Sequence, residues 1–152
     1  MTKILGMVGE TICDTADVSA NRGRLIGARL AGADLTGREL GGGILRSAVL
    51  TGAVVAGAAL AGADMRWVDA RQADFAGAVL AGADLSVANF RGANFRGADL
   101  RGADLGHSRF EGADFRGADL RGAELNFAHF EGANFDGALL DGAARAWAIG
   151  LE

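Results

Sequence analysis

Few side chains in this sequence could do chemistry. His107 and His129 are the only histidines, Cys13 is the only cysteine, and nineteen acidic residues complete the candidates. Nucleophilic catalysis needs a serine or cysteine beside a histidine that an acid orients, and no serine–histidine–acid spacing is found. Two histidines without cysteine companions make a poor zinc set. Cys13 has neither a disulfide partner in the chain nor metal-binding neighbours. The many Gly-Ala-Asp triplets lack the Lys-Ser/Thr that follows a phosphate loop. The expectation is a protein without catalytic residues, metal or cofactor, so the question becomes what the carboxylates are mounted on.

They are mounted on a rhythm of five. At positions 25, 30, 35 and onward to 140, the 24 residues include fourteen Leu and seven Phe, with Val55, Met65 and Ala70 as the exceptions. Two residues earlier stands Ala in nineteen of 24 cases, and two residues later stands Gly in eighteen. On an α-helix five residues advance about 140° beyond a full turn, which would smear the large side chains around the whole circumference. Interior glycines would also cost a helix about 0.8–1.0 kcal/mol each. Alternation on a strand accounts for four of the five positions, and glycine makes the fifth a tight corner. Such short sides bury their inner faces only by coiling into a solenoid in which each coil pairs with the next.

A second period sets the number of sides. Phe90/Phe95, Phe110/Phe115 and Phe130/Phe135 alternate with Leu80/Leu85, Leu100/Leu105 and Leu120/Leu125, a repeat of twenty residues and hence four sides per coil. Residues 23–142 then form about six coils, an all-β parallel solenoid that at ~4.8 Å per coil is roughly 29 Å long. The 152 residues fit one domain, and with 50% apolar residues the chain has ample material for a core. Its net charge of -4 argues against direct nucleic-acid binding. The uncharged residues 47–63 fall short of the roughly 20 that a membrane helix needs and keep the five-residue rhythm. The first ten residues lack the about 7–15-residue apolar run of a signal peptide, and a reduced, cytoplasmic setting is expected.

Runs such as Gly97-Ala98-Asp99-Leu100-Arg101-Gly102-Ala103-Asp104-Leu105 resemble the pentapeptide-repeat family, whose repeat is written A-(D/N)-L-x-x. The resemblance implies a right-handed quadrilateral β-helix. It also implies two kinds of partner. One is an unidentified protein docked on the outer faces of a structural module. The other is DNA gyrase, because resistance-type members resemble DNA in shape and charge and bind type II topoisomerases, which they modulate or protect from quinolones.

Departures from the repeat mark candidate surfaces. Ser47, Trp67, Val87, His107 and Phe127 replace corner glycines at twenty-residue spacing, so they stack into a ridge along one edge. Two readings stand: a different turn type whose side chains shelter one another, or an apolar ridge that anchors a partner. Beside it runs a column of outward acids, Asp64, Asp84, Asp104 and Glu124, of which only Asp64 has a base, Arg66, on its own side. These acids either cap local turns or steer a basic partner. Four charges over about 14 Å compare with roughly eight on duplex DNA, making the rod a poor polyanion.

The ends carry further expectations. Residues 143–152 leave the repeat and read as an apolar cap, helical in one version, whose Trp147, Ile149 and Leu151 either close the last coil or join two copies into a homodimer. Residues 1–22 read as an N-terminal cap, with 10–22 a degenerate coil. Arg38 at an inward position suggests an opened N-terminal end. Outward Ile44, Val49, Val54 and Ala59, with Val79 above, make one ring of the rod apolar outside as well, covered by the N-terminal segment or by a second copy.

Overall fold

The computed structural model describes residues 3–5, 11–14 and 24–151. β1 (Lys3–Leu5) and β2 (Thr11–Asp14) pair antiparallel, with Ile4 opposite Cys13 and an irregularity between Ile4 and Leu5. From Arg24 onward, parallel bridges join residues twenty apart, beginning with Arg24↔Ile44 and ending with His129↔Ile149. The result is the right-handed quadrilateral β-helix, four-sided as the repeat predicts and of the hand that the family resemblance implies.

One repeat shows why this sequence makes this backbone. Five N–H groups must be satisfied in each five-residue side. The Leu100 N–H donates to the Asp119 carbonyl of the next coil (2.8 Å), and the Gly102 N–H to Arg121 (3.1 Å). The Asp99 N–H donates to Ala78 of the preceding coil (2.9 Å), while the Ala98 N–H closes the preceding corner on Phe95 (3.0 Å). One donor remains, the Arg101 N–H, and it goes to Asp99 Oδ1 at 3.2 Å. The Asp or Asn that follows Ala therefore satisfies the single amide that neither ladder nor corner uses. The same bond recurs at Asp34–Thr36, Asn94–Arg96 and Asp114–Arg116.

Inside, the Leu and Phe columns fill the square. Phe75, Phe95, Phe115 and Phe135 stack at 5.0, 5.1 and 4.8 Å, with planes within 6° of parallel. Phe90, Phe110 and Phe130 form a second stack, and the two meet edge to face at 5.4–5.9 Å. Both arrangements are favourable ring geometries, and ladder spacing imposes the first.

Two expectations about the ends change. Arg38 is half-buried, yet its N–H closes on Leu35 (3.1 Å) and its carbonyl accepts from Ala59 (2.9 Å), so the coil stays shut there. Residues 144–149 are not helical. Ala144 bridges Glu124, Ile149 bridges His129, and a corner closes from Ala148 to Arg145 (3.2 Å). The backbone ladder continues although Arg145, exposed at a register position that is inward elsewhere, breaks the core pattern. The degenerate coil expected over 10–22 lies mostly outside the described residues; its described part, Thr11–Asp14, belongs to the antiparallel pair. The apolar ring is partly open, with Val54 and Val79 exposed and Ile44, Val49 and Ala59 half-buried.

Candidate interaction surface

The ridge is built from residues in a conformation that suits glycine. Corner glycines take φ of 62–71°, and Ser47, Trp67, Val87, His107 and Phe127 take 56–60° at the equivalent positions. The edge therefore uses the same left-handed corner as the rest of the rod, and the reading of a different turn type fails. Each non-glycine corner costs about 1–2 kcal/mol, and a β-branched residue such as Val87 is the least suited of all. Burial does not offset this fully, since Trp67, Val87 and Phe127 are 52%, 48% and 46% exposed.

Glycine corners close at 2.8–3.1 Å and the Ser47 corner at 3.0 Å, whereas those at Trp67, Gln72 and Phe127 close slightly longer, at 3.2–3.3 Å. At Val87 the Ala88 N–H turns to Ser108 Oγ (2.8 Å), and that hydroxyl donates to the Leu85 carbonyl (2.7 Å). Ser108 immediately follows His107, a nucleophile type that the sequence reading passed over. It is fully buried and spent on this repair, so the pair makes no catalytic dyad.

Gln72, the sixth non-glycine corner and on another edge, and Trp147 on this one share the conformation (φ 57° and 58°), and of the two sequence reasoning missed Trp147. Trp147 lies twenty residues beyond Phe127, and extending the period one more step identifies it. Trp147 is 78% exposed. His107 and Phe127 stack at 4.8 Å, 9° from parallel. These rings line a groove of about 570 Å³ with His129, Ala148 and Ile149. Ile149 is exposed and Leu151 half-buried, so the end residues split between this groove and the last coil.

The acidic column divides in two. Asp64 takes two bonds from the Arg66 guanidinium (2.9 and 2.8 Å) and another from Arg46. These bonds, Arg66 foremost, hold its carboxyl far below the usual range against the opposing effect of partial burial. Arg66 also reaches Asp84 at 3.4 Å and lies over Trp67, 5.4 Å from the ring centre. Asp84 and Asp104 cap their own corners, on Ser86 (3.0 Å) and Gly106 (2.8 Å). Among the described residues, Asp104 and Glu124 make no ion pair. The aspartates of the column thus cap turns, and the carboxylates of Asp104 and Glu124 are without an ion pair among the described residues.

Elsewhere arginines clamp several of the acids. Arg101, Arg116 and Arg121 clamp Asp99, Asp114 and Asp119 at 2.6–2.7 Å, and Arg91 reaches Glu111 at 3.0 Å. The guanidinium bonds lower all three aspartates, Asp119 to about 2. Among the described residues no group of three or more His, Cys, Asp or Glu is arranged to hold a metal ion, and no helix is long and apolar enough to cross a membrane.

The chain matches the family described as Pentapeptide repeats, in eight copies, over residues 28–66, 71–106 and 108–143. Among solved structures it is similar to a pentapeptide repeat protein from the Arabidopsis thaliana thylakoid lumen, with 32% identity over 72% of this chain and 66% of that one and a TM-score of 0.44. HetL, a pentapeptide repeat protein involved in heterocyst differentiation regulation from the cyanobacterium Nostoc, is 34% identical over 77% of this chain and 61% of its own (TM-score 0.33). QnrB1, a plasmid-mediated fluoroquinolone resistance protein, is 20% identical over 77% of this chain and 79% of its own (TM-score 0.38). The chain thus spans less than two thirds of the length of the first two. No curated protein matches it.

Proposed function

This chain belongs to the pentapeptide-repeat family, and from that premise we propose that it is a non-enzymatic interaction module that docks a protein partner on the edge carrying Trp67, Val87, His107, Phe127 and Trp147. The carrying observation is that large side chains occupy left-handed corners, at a cost in backbone energy, and remain half-exposed. Glycine serves the same corners elsewhere without that cost. Exposed aromatic residues are the usual anchors of an interface.

Asp84, Asp104 and Glu124 steer the partner, and Trp67 and Phe127 anchor it. Neutralising Asp84 and Asp104 to Asn then slows association, while Trp67→Ala speeds dissociation. Capture of partners from the native host, with the two variants beside the wild type, is the test. Variants that retain the same partners with unchanged kinetics would return this edge to a purely structural role.

A second copy at the C-terminal end is a compatible reading, favoured by exposed Leu139, Trp147 and Ile149 at the last coil. Gyrase binding through a DNA-like surface draws less support, because arginines pair with seven of the fifteen carboxylates of residues 24–151 and so break up the negative field along the rod. A gyrase supercoiling assay addresses it directly.

A further inference from the structure

The two halves of the ridge differ in one respect. In the first half a cation is built in: the Arg66 guanidinium lies over Trp67 and touches the carboxylates of Asp64 and Asp84. Forty residues on, at the same place in the coil, the carboxylates Asp104 and Glu124 and the rings His107, Phe127 and Trp147 are present, but the position of Arg66 is held by Gly106. The other coils carry Arg46, Ser86, Asn126 and Ala146 there. Gly106 is buried, and a methyl group there would meet Asp104 Oδ1 at 3.0 Å and the Asn126 carbonyl at 3.3 Å, oxygens that already accept from the Gly106 and His107 amides, so the chain places no cation of its own here. Asp104 spends a bond on the Gly106 amide, and the Glu124 carboxylate, as distinct from its backbone, makes no hydrogen bond or ion pair among the described residues.

We propose that this end of the groove receives the arginine side chain of an extended basic segment of a partner protein. The guanidinium takes the role that Arg66 plays internally: its plane lies against the groove's rings, the stacked His107 and Phe127 and the exposed Trp147, and its N–H groups reach Asp104 and Glu124. The charge complementarity is local, since nearby Arg91 and Arg109 are already engaged by Glu111. A guanidinium suits the site better than an ammonium because it stacks flat on rings and bonds carboxylates in a fork. The proposal rests on the ridge being an interaction edge, and it names the chemistry of the partner.

The test uses the full chain and a blocked Gly-Arg-Gly-Arg-Gly peptide, with its citrulline counterpart as the neutral isostere. The chain's two tryptophans give separate indole N–H signals in NMR. The arginine peptide is expected to shift the Trp147 signal and the His107 ring signals and to leave Trp67, already occupied by Arg66, unmoved. The citrulline peptide should bind roughly tenfold more weakly, as expected for losing a charge-assisted contact. Gly106→Arg, which supplies the guanidinium internally, should abolish peptide binding while the amide spectrum away from this corner is preserved. Asp104→Asn with Glu124→Gln should also lose binding, and serves if Gly106→Arg disturbs the fold. Equal binding of the citrulline peptide, equal shifts at Trp67, or unchanged binding by the Asp104/Glu124 variant overturns the cation site. That result leaves the interaction edge itself standing, which falls only if ridge variants keep their partners.

Discussion

Truncating Phe115 tests the core register. The ring is fully buried, stacks on Phe95 at 5.1 Å and Phe135 at 4.8 Å, and meets Phe110 and Phe130 edge to face at 5.4 and 5.9 Å. Phe→Ala in a core costs about 3–5 kcal/mol, and each ring pair adds about 0.5–1.5 kcal/mol beyond its buried area. With four such pairs and a rigid ladder that resists collapse, Phe115→Ala belongs at the upper end, about 4–5 kcal/mol. Phe135 supplies the comparison. It is only partly buried and keeps one stacked and one edge contact, with Phe115 and Phe130, so Phe135→Ala should cost about half as much. Denaturant melts of both variants, read with amide exchange along the coils, measure the difference. A loss below about 1 kcal/mol for Phe115→Ala, or equal losses at the two sites, would refute the stacked register.

Acid should unfold the rod in a defined window. The arginine-clamped Asp64, Asp69, Asp99, Asp114 and Asp119 have folded-state values below the ordinary 3.8, Asp119 at about 2. A depressed carboxyl favours the fold above its unfolded value, and that benefit is lost as pH falls from 3.8 toward 2. Stability followed by circular dichroism should thus be level from neutral pH to about 5 and then decline, less steeply in high salt because the arginines are half-exposed. Light scattering at tens of micromolar tests the second copy: a dimer that Trp147→Glu converts to monomer supports the C-terminal contact, a full-length monomer ends it, and an unchanged dimer in the variant moves the contact to the apolar ring of Ile44, Val49 and Val54. Val87→Gly should leave the melting temperature unchanged or raised, because relief of the left-handed strain offsets the lost half-burial of the side chain; a drop of several degrees would assign Val87 to the core.

The rod was legible in the sequence because every coil solves the same problem with the same residues. Leu and Phe must face inward, and the amide after them needs an Asp or Asn acceptor, so a period of five appears in the letters themselves. Trp147 escaped that reading because Arg145, at a core register position, breaks the core pattern there, whereas the backbone ladder from Ala144 to Glu124 carries the geometry onward. The corner conformation of Val87 or Phe127 was not legible either. Local preference argues against a left-handed valine, and neighbouring coils impose it through the ladder. Ser108 shows the same override: in the sequence it is a polar residue in an alanine column, and only the opened corner at Val87 explains what its hydroxyl bonds. The division of the acidic column depends on which arginine reaches which carboxylate across coils, as Arg66 does to Asp84, and a linear pattern of charges does not specify such reach.

The central claim is that the strained corner column exists for binding and not for folding. Its most direct test replaces Trp67, Val87, Phe127 and Trp147 together with glycine, the residue that other corners use, and measures both thermal stability and retention of partners from the native host. The account predicts a rod as stable as the wild type that no longer holds its partners. A variant that loses stability while still holding them would contradict it, and would make the ridge part of the scaffold.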